Sequence, residues 1–159
     1  MILHWTNNSW AEAKTPWGKA ASVLFYLWVW IVLTFSIWNF INPHSIGSGC
    51  FLDAAASASD KATMMSMIRT YDIAVIGFLG YAYLGGAQIA NIAFVLIIWF
   101  LNTVAQIPMM QQGQNHGCPG TGTAENFVWP VVLAIALICA IIDKMRAVNS
   151  PEEETLLNN

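Results

Sequence analysis

The 159 residues are 57% apolar and 9% charged, with 6 Lys+Arg against 9 Asp+Glu and a net charge of −3. Soluble domains carry about 25% charged residues, so the ionic surface of a water-soluble monomer is missing, as is the composition of a disordered tail or a collagen-like repeat. A slight acidic excess leaves no basic footprint for a nucleic acid. The composition implies an all-α integral membrane protein, a four-transmembrane-helix antiparallel bundle with both termini on the cytoplasmic side.

The first span is expected over residues 20–41, where no charged side chain occurs. Roughly 22 residues make about 33 Å of helix, enough to cross a hydrocarbon core. Thr15-Pro16 ahead of it reads as a cap followed by proline at the first helical position, and Asn42-Pro43 as the stop. The polar-mixed residues before Trp17 argue against a cleaved leader, whose apolar core is short and close to the terminus. The second span is expected over 68–87, its helix opening earlier at a Ser59-Asp60 cap, and the third over 89–107, closed by Pro108. Between them Gly85-Gly86-Ala87-Gln88 makes a tight hairpin. The fourth span, 127–142, places Trp129-Pro130 in its first turn, where a missing N–H matters least.

Residues 1–16 then form an interfacial segment, 17–147 the membrane domain and 148–159 an acidic flexible tail, with 43–67 and 108–126 as outer loops. Lys14, Lys19, Lys144 and Arg146 against Lys61 and Arg69 put both ends in the cytoplasm and the loops in an extracellular or lumenal compartment. The sequon Asn7-Asn8-Ser9 falls on the wrong side for glycosylation. Trp5, Trp10, Trp17, Trp38 and Trp129 cluster near span ends, where an indole prefers the headgroup boundary. Trp28 and Trp30 sit mid-span, facing lipid or a partner.

Cys50 and Cys118 fall one in each outer loop among glycines, and an oxidising compartment would bridge them; the plain alternative is two free thiols. Cys139 is mid-span and reads as a small packing residue.

Ionisable groups within spans are costly, which singles out Arg69 and Asp72. At i and i+3 they can pair locally at the headgroup level. A sharper possibility is a polar pocket in the outer half of the bundle. Asn91, Asn102 and Gln106 share one face of the third span, Tyr83 continues the face of Asp72, and His44 and His116 roof the site from the loops. The blander reading, that these groups are interhelical glue, is favoured. Gly77, Gly80, Ala82, Gly86 and Ala90 form a bare, small-residue face. That face packs the second span on the third or receives a partner helix.

Phosphate-loop, Cys-x-x-Cys, His-Glu-x-x-His and Gly-x-Ser-x-Gly motifs do not occur, and no cofactor is implied. Met64, Met67 and His116 are soft enough for Cu(I), but no ligand spacing supports a copper site over simple apolar filling. Four spans with cytoplasmic ends and outer cysteines resemble claudin-like and MARVEL-type tetraspan proteins as an arrangement. The Gly-Leu-Trp and paired-cysteine pattern of the claudin first loop is absent, and the likeness carries no functional residue.

The expected function is therefore a non-catalytic accessory, scaffold or assembly subunit of a membrane complex, with lipids and other integral membrane proteins as partners. A small-solute or ion transporter using the polar pocket is the alternative. A membrane-embedded enzyme built on Asp72 and the outer histidines stands third.

Overall fold

The computed structural model describes residues 15–42, 57–108, 110–111 and 123–148. Regular structure there is helical throughout, in four helices: α1 (Pro16–Ile41), α2 (Ala58–Gly85), α3 (Ile89–Ala105) and α4 (Thr123–Val148). Three of them, α1, α2 and α4, are long and apolar enough to cross a membrane. The apolar α3 has 17 residues, which is about 25 Å of helix and just under a hydrocarbon thickness of about 30 Å.

The start of α1 follows its sequence signals. Thr15 is the cap, its Oγ1 accepts from the Trp17 N–H at 3.2 Å, and Pro16 opens the helix. For α2 the cap is Ser57, two residues before the expected Ser59-Asp60. Ser57 Oγ accepts the Asp60 N–H at 3.1 Å and donates to the Asp60 carboxylate at 2.6 Å. Asp60 thus sits at the third helical position of a reciprocal cap, where its charge faces the positive end of the helix dipole. Gly86 ends α2 at φ 68° and ψ −177°, a backbone conformation that essentially only glycine adopts, and this turns the chain into α3. Pro130 lies inside α4 and not in its first turn. The helix begins at Thr123, upstream of the apolar run, because a helix can extend into polar sequence beyond the span it carries.

Helix α1 is the centre of the packing, lying against α4 and α2, while α3 lies against α4. Although adjacent in sequence, α2 and α3 share the least extensive contact of these pairs. The Phe94 ring stands between them, 6.3 Å from Phe78 and 6.2 Å from Tyr81 between centroids. Ala21, Phe25, Trp28, Val29, Leu79, Ala82, Ile92, Val95, Leu133 and Ala136 form the buried core. Trp28 belongs to it, whereas a lipid- or partner-facing position was expected. It is 1% exposed and meets Trp99 edge-on at 5.1 Å, and its Nε1 makes no hydrogen bond among the described residues. Trp30 does face outward, 55% exposed. Thr34, Thr70 and Thr103 each donate their hydroxyl to the carbonyl four residues back, a local pairing suited to apolar surroundings.

Two contacts fix the ends of the assembly. Asp143 near the end of α4 accepts from the Thr15 N–H at 2.8 Å and from Thr15 Oγ1–H at 2.6 Å. Its carboxylate therefore caps the positive end of α1 and sets α4 antiparallel to α1. Meanwhile Tyr83 packs its ring on both Tyr26 and Trp30, and Asp72 pairs with Asn39. This register stops the α2–α3 turn short of the α1/α4 end by about two helical turns, roughly 13 Å at 1.5 Å per residue.

Gly18 is what lets that end close. A Cβ there would stand 2.6 Å from the Asp143 carboxyl, so the carboxylate would have to leave Thr15 to make room. Gly18→Ala is expected to cost about 1–2 kcal/mol in thermal unfolding in detergent. The same substitution should cost clearly less in an Asp143→Ala background, where the obstruction is gone.

Candidate functional site

The polar side chains inside the helical region do not converge on one pocket; they divide into three groups. In the first, the Asp72 side chain points from α2 into the seam with α1, where Asn39 Nδ2–H donates to its Oδ2 at 2.8 Å. Asp72 is 3% exposed. Arg69 is exposed on α2, and no ion pair joins it to Asp72 among the described residues. The i, i+3 pairing expected from the sequence is replaced by a bond between helices. One turn of α2 places Arg69 and Asp72 on neighbouring positions, but only Asp72 faces α1.

The second group joins α2 to α3. Asn102 Nδ2–H and Gln106 Nε2–H both donate to the Tyr71 hydroxyl oxygen, at 2.9 and 2.7 Å, and Gln106 also donates to Asn102 Oδ1 at 3.2 Å. Asn102 and Gln106 thus share the face that their spacing predicts. Tyr71, the residue that gathers them, was not singled out from the sequence. Its place next to Asp72 does not merge the two groups, since consecutive residues point about 100° apart around a helix.

The third group lies at the hairpin. Asn91 Nδ2 donates to the Ala82 carbonyl at 2.9 Å and the Gly86 carbonyl at 2.7 Å. Those are carbonyls at the end of α2, which has no further turn to supply N–H donors. Asn91 therefore closes the helix end, at the opposite end of α3 from Asn102 and Gln106. Gly85 is needed beside it, because a Cβ at Gly85 would meet the Asn91 side-chain carbon at 2.6 Å. Tyr83 joins none of these groups; its ring packs on Tyr26 and Trp30, 5.5 and 5.9 Å away.

The small residues also separate. Ala82 and Gly86 are buried, Ala82 in the core, while Ala90 is exposed. Gly77 and Gly80 face outward, and a Cβ on either would meet nothing within 4 Å. Cys139 is buried in the core. Met64 is half-buried and Met67 exposed on α2. Cys50, Cys118, His44 and His116 lie outside the described residues, so the proposed bridge, the roof of the pocket and the copper set all fall there in whole or in part. Among the described residues no group of three His, Cys, Asp or Glu side chains could hold a metal ion.

Besides Tyr71, two residues that bond between helices carry no motif in the sequence: Asn39, within the span end before Asn42-Pro43, and Asp143, directly before the basic Lys144-Met-Arg146 run. In both cases the signal is a short polar side chain in the last two turns of a helix.

No family model matches the chain, and neither a curated protein nor a solved structure matches it.

Proposed function

We propose that the chain is a four-span antiparallel bundle with both ends in the cytoplasm, acting as a non-catalytic accessory or assembly subunit of a membrane complex. The observation that carries this reading is the state of α2. It is the longest helix, yet only 17% of its apolar window is buried, against 33% for α1. Its outward face carries Ile73, Tyr81 and Leu84 around the open Gly77 and Gly80. Glycines on a helix surface allow a second backbone to approach closely, which is the main source of helix association where lipid removes the hydrophobic driving force. The polar groups support the same reading, because each is engaged with another helix or a helix end. Such bonds between helices contribute about 0.6 kcal/mol apiece and favour one packing over others.

Gly80→Leu would fill the open face with a branched side chain and touch nothing inside the bundle. Partner proteins recovered by affinity purification in mild detergent are expected to fall severalfold, with thermal stability of the isolated chain unchanged. Equal recovery of all partners would defeat the assembly reading. Flux of a small solute through liposomes holding the purified chain, abolished in Asp72→Asn, would replace it with the transporter.

A further inference from the structure

Among the described residues the Tyr71 hydroxyl accepts two hydrogen bonds and donates none. Asn102 and Gln106 occupy both lone pairs of its oxygen, at 2.9 and 2.7 Å, so the phenol proton points away from them. The count fixes the two amides. Either one turned over alone would set like atoms of Asn102 and Gln106 face to face across their 3.2 Å contact, and both turned over would offer two carbonyl oxygens to one proton. Gln106 Nε2 therefore uses its hydrogens on Tyr71 and Asn102, which leaves Gln106 Oε1 without a donor among the described residues. The cluster still offers a donor, the Tyr71 O–H, beside an acceptor, Gln106 Oε1. Tyr71 is 41% exposed, so the pair opens outward.

Toward the hairpin the seam between α2 and α3 turns apolar. Ala74 and Phe78 follow Tyr71 at i+3 and i+7 on the same face of α2, and the Phe78 ring stands 6.3 Å from Phe94 on α3. Ile98 lies one turn from each of Asn102 and Phe94. The two helices share little contact along this stretch, and Ala74, Ile98 and Phe94 are exposed. Eight residues of α3 separate the Asn102 level from the Phe94 ring, about 12 Å along the axis. Asp72, next to Tyr71, bonds Asn39 two residues before the end of α1. In the four-span arrangement the cluster thus lies just beneath the headgroups, and the aromatic foot lies deeper among the acyl chains.

We propose that this seam binds a sterol-class lipid, one hydroxyl on a flat, rigid apolar body. The hydroxyl accepts from the Tyr71 O–H and donates to Gln106 Oε1, and the rings lie over Ala74 and Ile98 toward Phe94. A hydroxyl answers both groups of the cluster, whereas a phosphate, an ester or a quinone carbonyl only accepts and would face the Gln106 oxygen. Ala74, Phe78, Ile98 and Phe94 bring no polar side chain, which suits a body with a single polar end, and a rigid body loses little freedom on lying along them. This rests on the reading that the helices cross a membrane.

The test is photo-cross-linking of the purified chain, in phosphatidylcholine nanodiscs, with a diazirine-bearing cholesterol. Unlabelled cholesterol competes, or cholestene, which lacks the hydroxyl. Wild type is expected to be labelled saturably in peptides of α2 and α3, with cholestene about fivefold the weaker competitor, as the loss of hydrogen bonding to the cluster implies. Tyr71→Phe should lower labelling about fivefold and erase the preference for cholesterol. Phe94→Ala should weaken both competitors alike, and Phe35→Ala, exposed on α1, should change neither. Labelling that does not saturate, or that spreads over all four helices, would overturn the site. So would equal competition by cholestene in wild type, a comparison that needs no variant to fold. Stronger competition by decylubiquinone than by cholesterol would assign the seam to a carbonyl ligand and overturn the sterol. A chain that leaves cells dissolved without detergent would instead overturn the membrane reading.

Discussion

Replacing Asn91 by leucine is expected to destabilise the protein by about 2–4 kcal/mol. The substitution removes two donated hydrogen bonds and leaves the carbonyls of Ala82 and Gly86 bare, each loss being worth about 1–2 kcal/mol. Elsewhere a helix end without a side-chain partner turns to water. Here the register of α2 on α1 holds the turn about two helical turns inside the α1/α4 end, a depth at which the proposed membrane arrangement leaves little water. Unfolding in mixed detergent micelles measures the loss. Gly85→Ala should reproduce part of it, because its Cβ displaces the same amide. If Asn91→Leu unfolds within about 0.5 kcal/mol of wild type, the turn is open to solvent and the register argument is wrong.

Asn39→Leu is the second large effect, at about 2–3 kcal/mol, the range for a hydrogen bond to a charged group whose partner is left behind. The asymmetry of the seam sharpens the prediction. Asp72→Leu combined with Asn39→Leu should recover much of the loss, since two apolar side chains replace a buried polar pair with little net penalty. A double variant as unstable as the sum of the singles would mean that the two residues act independently.

What the sequence discloses and what it conceals divide along physical lines. The cap at Thr15, the stop at Asn42 and the glycine turn at Gly86 are local, set by backbone geometry within a few residues, and they stand where the sequence puts them. The shared face of Asn102 and Gln106 is also local, fixed by helical periodicity. Partner choice is not. Asp72 reaches Asn39 and not Arg69 because of how α1 crosses α2, and that crossing depends on the whole of both faces. Trp28 turns inward for the same reason. A helix apolar on every side carries no amphipathic mark of which face is buried, so periodicity could not separate Trp28 from Trp30. The sharper alternative of one pocket shared by Asp72, Tyr83 and Asn91 finds no contact among them in the described residues, for a reason of register. An eleven-residue spacing puts two groups on one face and also separates them by about 16 Å along the axis, too far to meet.

The short reach of the α2–α3 turn gives the molecule an uneven girth of grease. In the four-span arrangement proposed above, the edge along α1 and α4 would suit a slab of ordinary thickness and the hairpin edge a thinner one. Acyl chains beside the hairpin would then shorten their span or the molecule would lean, and either response has an elastic cost that thinner membranes reduce. The chain should accordingly sort toward thin bilayers, and neighbouring copies should turn their hairpin edges toward each other so that one dimple in the bilayer serves several.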